Sequence, residues 1–256
     1  MPVSDLALLE ETAREAGEIA RSFWREDPQV WDKGGDDPVS EADFAVDKHL
    51  RERLLAERPD YGWVSEETED DPARLEARRV FIVDPIDGTR SFVAGEKTWA
   101  HSLAVADRGR ITAACVYLPA RDKMYLADIG GGATLNGAHL TARARDRLEG
   151  ATVLSPRVSF KPEFWKSGPP DVERHFRPSL AYRLALIGEG RFDAMLTLRP
   201  AWEWDIAAGA LIAAEAGAQV TDRDGKAMTF NNASRQTAGV ITGGRTVHAA
   251  LLDRLA

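Results

Sequence analysis

Two aspartates, Asp84 and Asp87, stand three positions apart in DPIDGTRSF, directly after the apolar run VFIV at 80–83. A strand that ends by setting two carboxylates on a proline-stiffened corner offers oxygen ligands to a hard cation. Mg²⁺ takes several such ligands and usually keeps some water, and a pair of ions needs a bridging carboxylate with others around it. Asp84, Asp87 and the carbonyl of Ile86 can supply one corner of such a site. Gly88 lets a phosphate approach the backbone N–H groups that follow. Taken alone, Asp-Pro and Asp-Gly are also ordinary turn dipeptides, so the chemical reading requires partners from elsewhere in the chain. Four further acids stand out: Glu66 and Glu67 in VSEETED, Asp205 in WEWDIAAG and Asp43 in PVSEAD. Each has a plainer role open to it, Asp205 and Asp43 as first-turn helix acids and the glutamates as solvated surface charge.

The elements that must bring these acids together follow from periodicity. Ser4 is an N-cap candidate, and Leu6, Leu9, Ala13, Ala16, Ala20 and Phe23 recur at helical spacing, which predicts a helix to about Arg25. A second helix is predicted from Glu41 to Glu57, burying Phe44, Val46, Leu50 and Leu54, with KGGDDPVSEAD before it as a polar loop or irregular hairpin. VFIVD, HSLAVAD, ITAACVYLP and KMYLADIGGGATLNGAHL read as adjacent strands of an antiparallel sheet. After residue 150 strands (ATVLS, FDAMLTL, AQVTD, GVITG) alternate with helices (SLAYRLALIGEG, DIAAGALIAAEAG, TVHAALLDRLA), which predicts a mostly parallel, helix-covered sheet. The chain thus divides into an α+β half over 1–149 and an α/β half over 150–256, forming one catalytic unit. SPRVSFKPEFWKSGPPD is the expected irregular stretch.

Composition narrows the function classes. The 256 residues are 44% hydrophobic, enough for a sizeable core, and the net charge of −8 argues against a nucleic-acid polymer or an anionic membrane as partner. The single cysteine, Cys115, sits in a strand-like run and reads as a buried structural thiol. No segment approaches the ~20 apolar residues of a membrane span, and the N-terminus has no signal-like apolar run. The expectation is a soluble, cytoplasmic protein.

A glutamate pair, then DPIDGT, then WD followed by small residues, in this order and spacing, resembles the inositol monophosphatase superfamily. The resemblance runs from the Lys33/Asp43 region through GGATLNG to WDIAAG. It implies a Mg²⁺-dependent, lithium-sensitive phosphomonoesterase with a layered α-β-α-β-α fold and two or three ions. Glu66, Asp84 and the Ile86 carbonyl would hold one ion, and Asp84, Asp87 and Asp205 a second. Thr89, paired with Asp43, would orient and help deprotonate the attacking water, with Glu66 beside it. Glu67 would support the ligands, Gly88 and Thr89 would bind phosphate oxygens, and Asp205 would also touch substrate. The family is commonly homodimeric and acts on small phosphorylated metabolites. Some members serve transcription or RNA machinery, a non-enzymatic alternative that missing metal ligands would favour.

Within that superfamily three features resemble the 3'(2'),5'-bisphosphate nucleotidase branch: SEE at Ser65–Glu67, TRSF after the metal loop, and Arg183 in SLAYRLALIGEG. A second substrate phosphate would want a forked cation, although Arg90 and Arg183 could equally be solvated. His101 fits neither that branch nor the inositol enzymes, which leaves histidinol phosphate or another ester open, beside inositol 1-phosphate as the alternative substrate. Trp202 and Trp204 could stack on a base or pack in the core.

Overall fold

The computed structural model describes residues 3–32, 34 and 38–256. Lys33 therefore lies outside the described residues, as does most of the KGGDD stretch. Helix α1 spans Asp5–Phe23 and begins where the Ser4 hydroxyl accepts the Ala7 N–H at 3.2 Å. Strands β1 (Val30–Asp32) and β2 (Pro38–Ser40) pair antiparallel, the hairpin of the two alternatives expected, and helix α2 follows as Glu41–Glu57. Val46, Leu50 and Leu54 are buried, but Phe44 is 45% exposed. It stands off the buried stripe and packs instead against Trp31 of the hairpin, ring centroids 5.9 Å apart.

Next come β3 (Gly62–Ser65), β4 (Arg79–Asp87), the short helix α3 (Thr89–Val93), β5 (Ala100–Asp107), β6 (Arg110–Leu118), β7 (Lys123–Asp128), β8 (Gly132–Leu135) and β9 (Ala138–His139). The seven strands pair in sequence order as one sheet, antiparallel throughout except that β3 lies parallel to β4. The second half runs β10 (Thr152–Leu154), β11 (Glu173–His175), α4 (Leu180–Gly188), β12 (Ala194–Thr197), β13 (Ala201–Trp202), α5 (Glu203–Glu215), β14 (Gln219–Thr221), β15 (Gln236–Thr237), β16 (Val240–Gly243) and α6 (Arg245–Arg254). Its main sheet has the order β11-β10-β12-β16-β14.

That sheet is mixed rather than mostly parallel. β10 runs parallel to β11 and β12, whereas β16 is antiparallel to both β12 and β14. Among the described residues no helix lies between β14 and β16, and without a crossover the chain can only return antiparallel.

Three apolar clusters define the layers. One joins α1 and α2 to Phe81, Val83, Leu103 and Val105 on one face of the first sheet. A second packs Ile82, Ala104 and Val116 on the opposite face against α4 and α5, whose far side meets Met195 and Val240. The third sets Val153, Leu196 and Ile241 against Val247 and Leu251 of α6. The result is the α-β-α-β-α sandwich that the family resemblance implies, with α5 at its centre. Cys115 is fully buried, and burial pushes its thiol far above the ordinary range. Among the described residues no helix is long and apolar enough to cross a membrane.

Candidate active site

Strand β4 ends at the edge of the layers, where the start of α5 faces it. Glu66, Asp84 and Asp205 meet there, one carboxylate oxygen from each lying within 4.8 Å of the others. Glu66 comes from the segment after β3, Asp84 from β4 and Asp205 from the first turn of α5. Helix α5 is held at its start by the buried Glu203, whose carboxylate accepts the N–H groups of Asn231 at 2.7 Å and Asn232 at 2.8 Å. Burial, then Glu66, Asp87 and Asp205, push the Asp84 carboxyl well above the ordinary range. Burial and the neighbouring Asp87 and Glu66 do the same to Asp205.

Such an arrangement is costly unless a cation offsets it. Asp84 Oδ1 is buried without a hydrogen-bond partner, and the donors are all oxygen, which suits a hard dication. The residues fit a metal site.

Asp87 lines the same cavity and bears on both Asp84 and Asp205, although it is not one of the three acids whose oxygens meet. Its carboxylate caps α4, accepting from Ser179 Oγ at 2.7 Å, Leu180 N at 3.1 Å and Ala181 N at 2.7 Å. Burial raises its pKa while those hydrogen bonds pull it down. Gly88 sits at φ +100°, and a Cβ there would meet the Thr98 carbonyl at 3.1 Å, so the corner requires glycine. Thr89 Oγ1 lies 3.1 Å from Asp43 Oδ1 and 3.0 Å from the Ile86 carbonyl. Asp43 is also the first-turn acid of α2, its Oδ2 accepting from Ser40 N at 2.9 Å and Ser40 Oγ at 2.6 Å. Glu67 is half-buried, its N–H donating to Ser65 Oγ at 3.4 Å, and it is not part of the cavity lining.

The cavity has a volume of about 450 Å³. Beyond the acids its wall includes Arg90, Phe176, Arg199 and Trp202. Arg183 does not line it. It is 9% exposed, its Nε donates to the Ser179 carbonyl at 3.4 Å, and its Nη1 is buried without a partner. Burial lowers its pKa, and the nearby Asp87 and Asp205 raise it again. The apolar stripe Leu180, Leu184 and Ile187 carries Arg183 inward with the helix. Its guanidinium lies 5.2 Å from the ring centre of Phe176, which does line the cavity.

Arg199 and Phe176 were not singled out in the sequence; Arg199 sits between a buried strand and WEWD, a position that distinguishes it only once the fold is known. The two tryptophans divide: Trp204 is buried, and Trp202 is 38% exposed on the cavity wall. They stack at 4.8 Å with planes 9° apart, and the Arg235 guanidinium lies 5.7 and 5.8 Å from their ring centres. His101 is fully buried in the core, away from the cavity lining, and carries no substrate argument.

The family model described as "Inositol monophosphatase family" matches residues 3–255. The inositol-1-monophosphatase of Rhizobium meliloti is 37% identical over 230 residues, covering 83% of this chain and 80% of the relative. The 3'-phosphoadenosine 5'-phosphate phosphatase of Mycobacterium leprae is 34% identical over 254 residues, covering 90% and 85%. Among solved structures, an IMPase from Thermotoga maritima matches with a TM-score of 0.83 at 28% identity, covering 97% of this chain and 95% of that one.

Proposed function

Because the chain belongs to the inositol monophosphatase family and is a phosphomonoester hydrolase, we propose that it is a Mg²⁺-dependent phosphatase of 3'(2'),5'-bisphosphate nucleotides. Glu66, Asp84 and the Ile86 carbonyl would hold one ion, and Asp84, Asp87 and Asp205 a second. Mg²⁺ bound there supplies a Lewis acid that offsets the charge of the ester and makes water a better nucleophile. Thr89 donates from Oγ1 to Asp43 and turns its lone pairs toward the attacking water, which it orients. Asp43, an acceptor on both oxygens, is placed to take up the proton. Positioning and charge compensation dominate phosphoryl transfer, so no nucleophilic side chain is required.

One observation carries the choice of substrate: the exposed face of Trp202, held flat by its stack on Trp204 and by Arg235. A base can stack on such a face, worth roughly 1–3 kcal/mol, whereas a saturated inositol ring has no π-face to offer. Arg199 on the same wall suits a second phosphate through forked hydrogen bonds.

Phosphate release tests this on adenosine 3',5'-bisphosphate, inositol 1-phosphate, histidinol phosphate and fructose 1,6-bisphosphate, each with and without Mg²⁺. The nucleotide should be the fastest, and chelation should stop all release. The similarity to the Rhizobium meliloti enzyme favours inositol 1-phosphate as the second reading, and faster turnover of that ester would establish it. A role confined to binding transcription or RNA machinery predicts no release from any ester.

A further inference from the structure

Strand β5 passes behind the carboxylates, and two adjacent residues on it reach both sides of the site. In the ladder Asp84 pairs with Ser102 and Asp87 with Ala100, so Pro85 and Ile86 together face the single residue His101. Two residues against one make a β-bulge, which bends the DPID corner out of the sheet. A bulge also interrupts the ladder, and the freed carbonyl needs another donor. His101 provides it, its Nδ1 hydrogen-bonding the Pro85 carbonyl. A carbonyl can only accept, so Nδ1 carries the proton. Burial lowers the imidazole pKa to about 4, which keeps the ring in that neutral form.

The next residue reaches the other way. Ser102 Oγ donates to the Trp204 carbonyl at 2.7 Å, at the start of α5, and Trp204 directly precedes Asp205.

Packing alone would not select histidine at this position. The ring is fully buried beside Trp99 and Tyr117, and its Nε2 has no hydrogen-bond partner. An unsatisfied buried acceptor costs stability that valine or leucine would not. The hydrogen bond to Pro85 is what the imidazole contributes in return.

We propose that His101 and Ser102 are positioning residues that set the spacing between the two halves of the metal site. His101 holds the Asp84–Asp87 bulge, and Ser102 ties the Asp205 helix to the same strand. The inference rests on the metal-dependent reading of the site. Neither residue touches ion or substrate, so both act through the backbone they fix.

The test is direct titration of the full chain with Mn²⁺ by calorimetry, alongside thermal melting in chelator, for H101V, H101N and S102A. H101V removes the donor, while H101N returns an amide N–H near the place of Nδ1. Mn²⁺ affinity should fall about tenfold or more in H101V and recover in H101N, in line with the usual effect of losing a group that orients metal ligands. S102A should also weaken Mn²⁺ binding while melting near the unmutated temperature. Unchanged affinity in H101V, or equal losses in H101V and H101N, would overturn the role of His101. If H101V does not fold, S102A decides, and unchanged affinity there overturns the proposal. Absence of Mn²⁺ binding by the unmutated protein is a separate result that overturns the metal reading itself.

Discussion

On the floor of the cavity Glu66, Asp84 and Asp205 crowd three carboxylates within 4.8 Å, whereas the wall presents Arg199, Phe176 and Trp202 at exposed positions. The floor stores repulsion, because its acids are fixed by buried backbone and cannot separate. The wall stores little, since solvated groups can hold charge without paying for burial. Arg183 belongs physically to the floor although it is a cation: it is buried behind Asp87 and Asp205 and moderates their charge. Charge on the floor is thus set by what the fold forces together, and charge on the wall by what a ligand brings. The proposed function puts chemistry on the floor and specificity on the wall, and substitutions can show whether the two separate.

The largest effect is expected on the floor. Asp84→Asn should reduce phosphate release more than about 100-fold, beyond the usual loss from a group that only orients ligands. The metal-free mutant should melt at or above the unmutated temperature, because one repelling charge is gone. Retention of most Mg²⁺-dependent turnover would show that the floor does not do the chemistry.

Next is the wall. Trp202→Ala should cost nucleotide substrates roughly 1–3 kcal/mol in kcat/KM, the value of a stacked base, and leave inositol 1-phosphate almost unchanged. Steady-state kinetics on both esters would expose a shared loss, which would make Trp202 a structural part of the site instead.

The two arginines give a finer contrast. Arg199→Ala should weaken hydrolysis of a nucleoside bisphosphate by about 1.5–3 kcal/mol, the range for a charged hydrogen bond, more than that of a monophosphate. Arg183→Met should change kcat/KM for both esters by the same factor, since the residue acts behind the acids. Selective loss of the bisphosphate in Arg183→Met would return the substrate contact to Arg183.

The smallest effect is on stability against pH. Asp84, Asp87 and Asp205 have folded-state pKa values raised above the ordinary 3.8. Their contribution to stability is therefore full below that value and is lost as pH rises. His101, lowered by burial to about 4 from 6.5, acts with the opposite sign, losing its contribution as pH falls through that window. Mg²⁺ compensates only the carboxylates. The melting-temperature gap between Mg²⁺ and EDTA samples should widen as pH rises from about 5 to 8, and a constant gap in a pH series would contradict the linkage.

Local pattern carried much of this protein. The 3.6-residue period placed α2 at its observed ends, and the DPIDGT corner marked the strand end where the acids gather. What pattern could not supply was orientation. Phe44 and Arg183 sit on well-marked helices, yet one faces a hairpin and the other the interior behind the acids, because neighbouring elements decide which side of a helix is covered. The direction of β16 was likewise a matter of the missing crossover helix rather than of its own residues. Asp205 and Glu66 lie 139 positions apart in the chain, and the pairing of β3 with β4 and the seating of α5 bring them together. Whether an arginine meets ligand or core depends on distances that arise only when the layers close, so Arg199 became distinguishable from other arginines, and Trp202 from Trp204, in the folded chain alone.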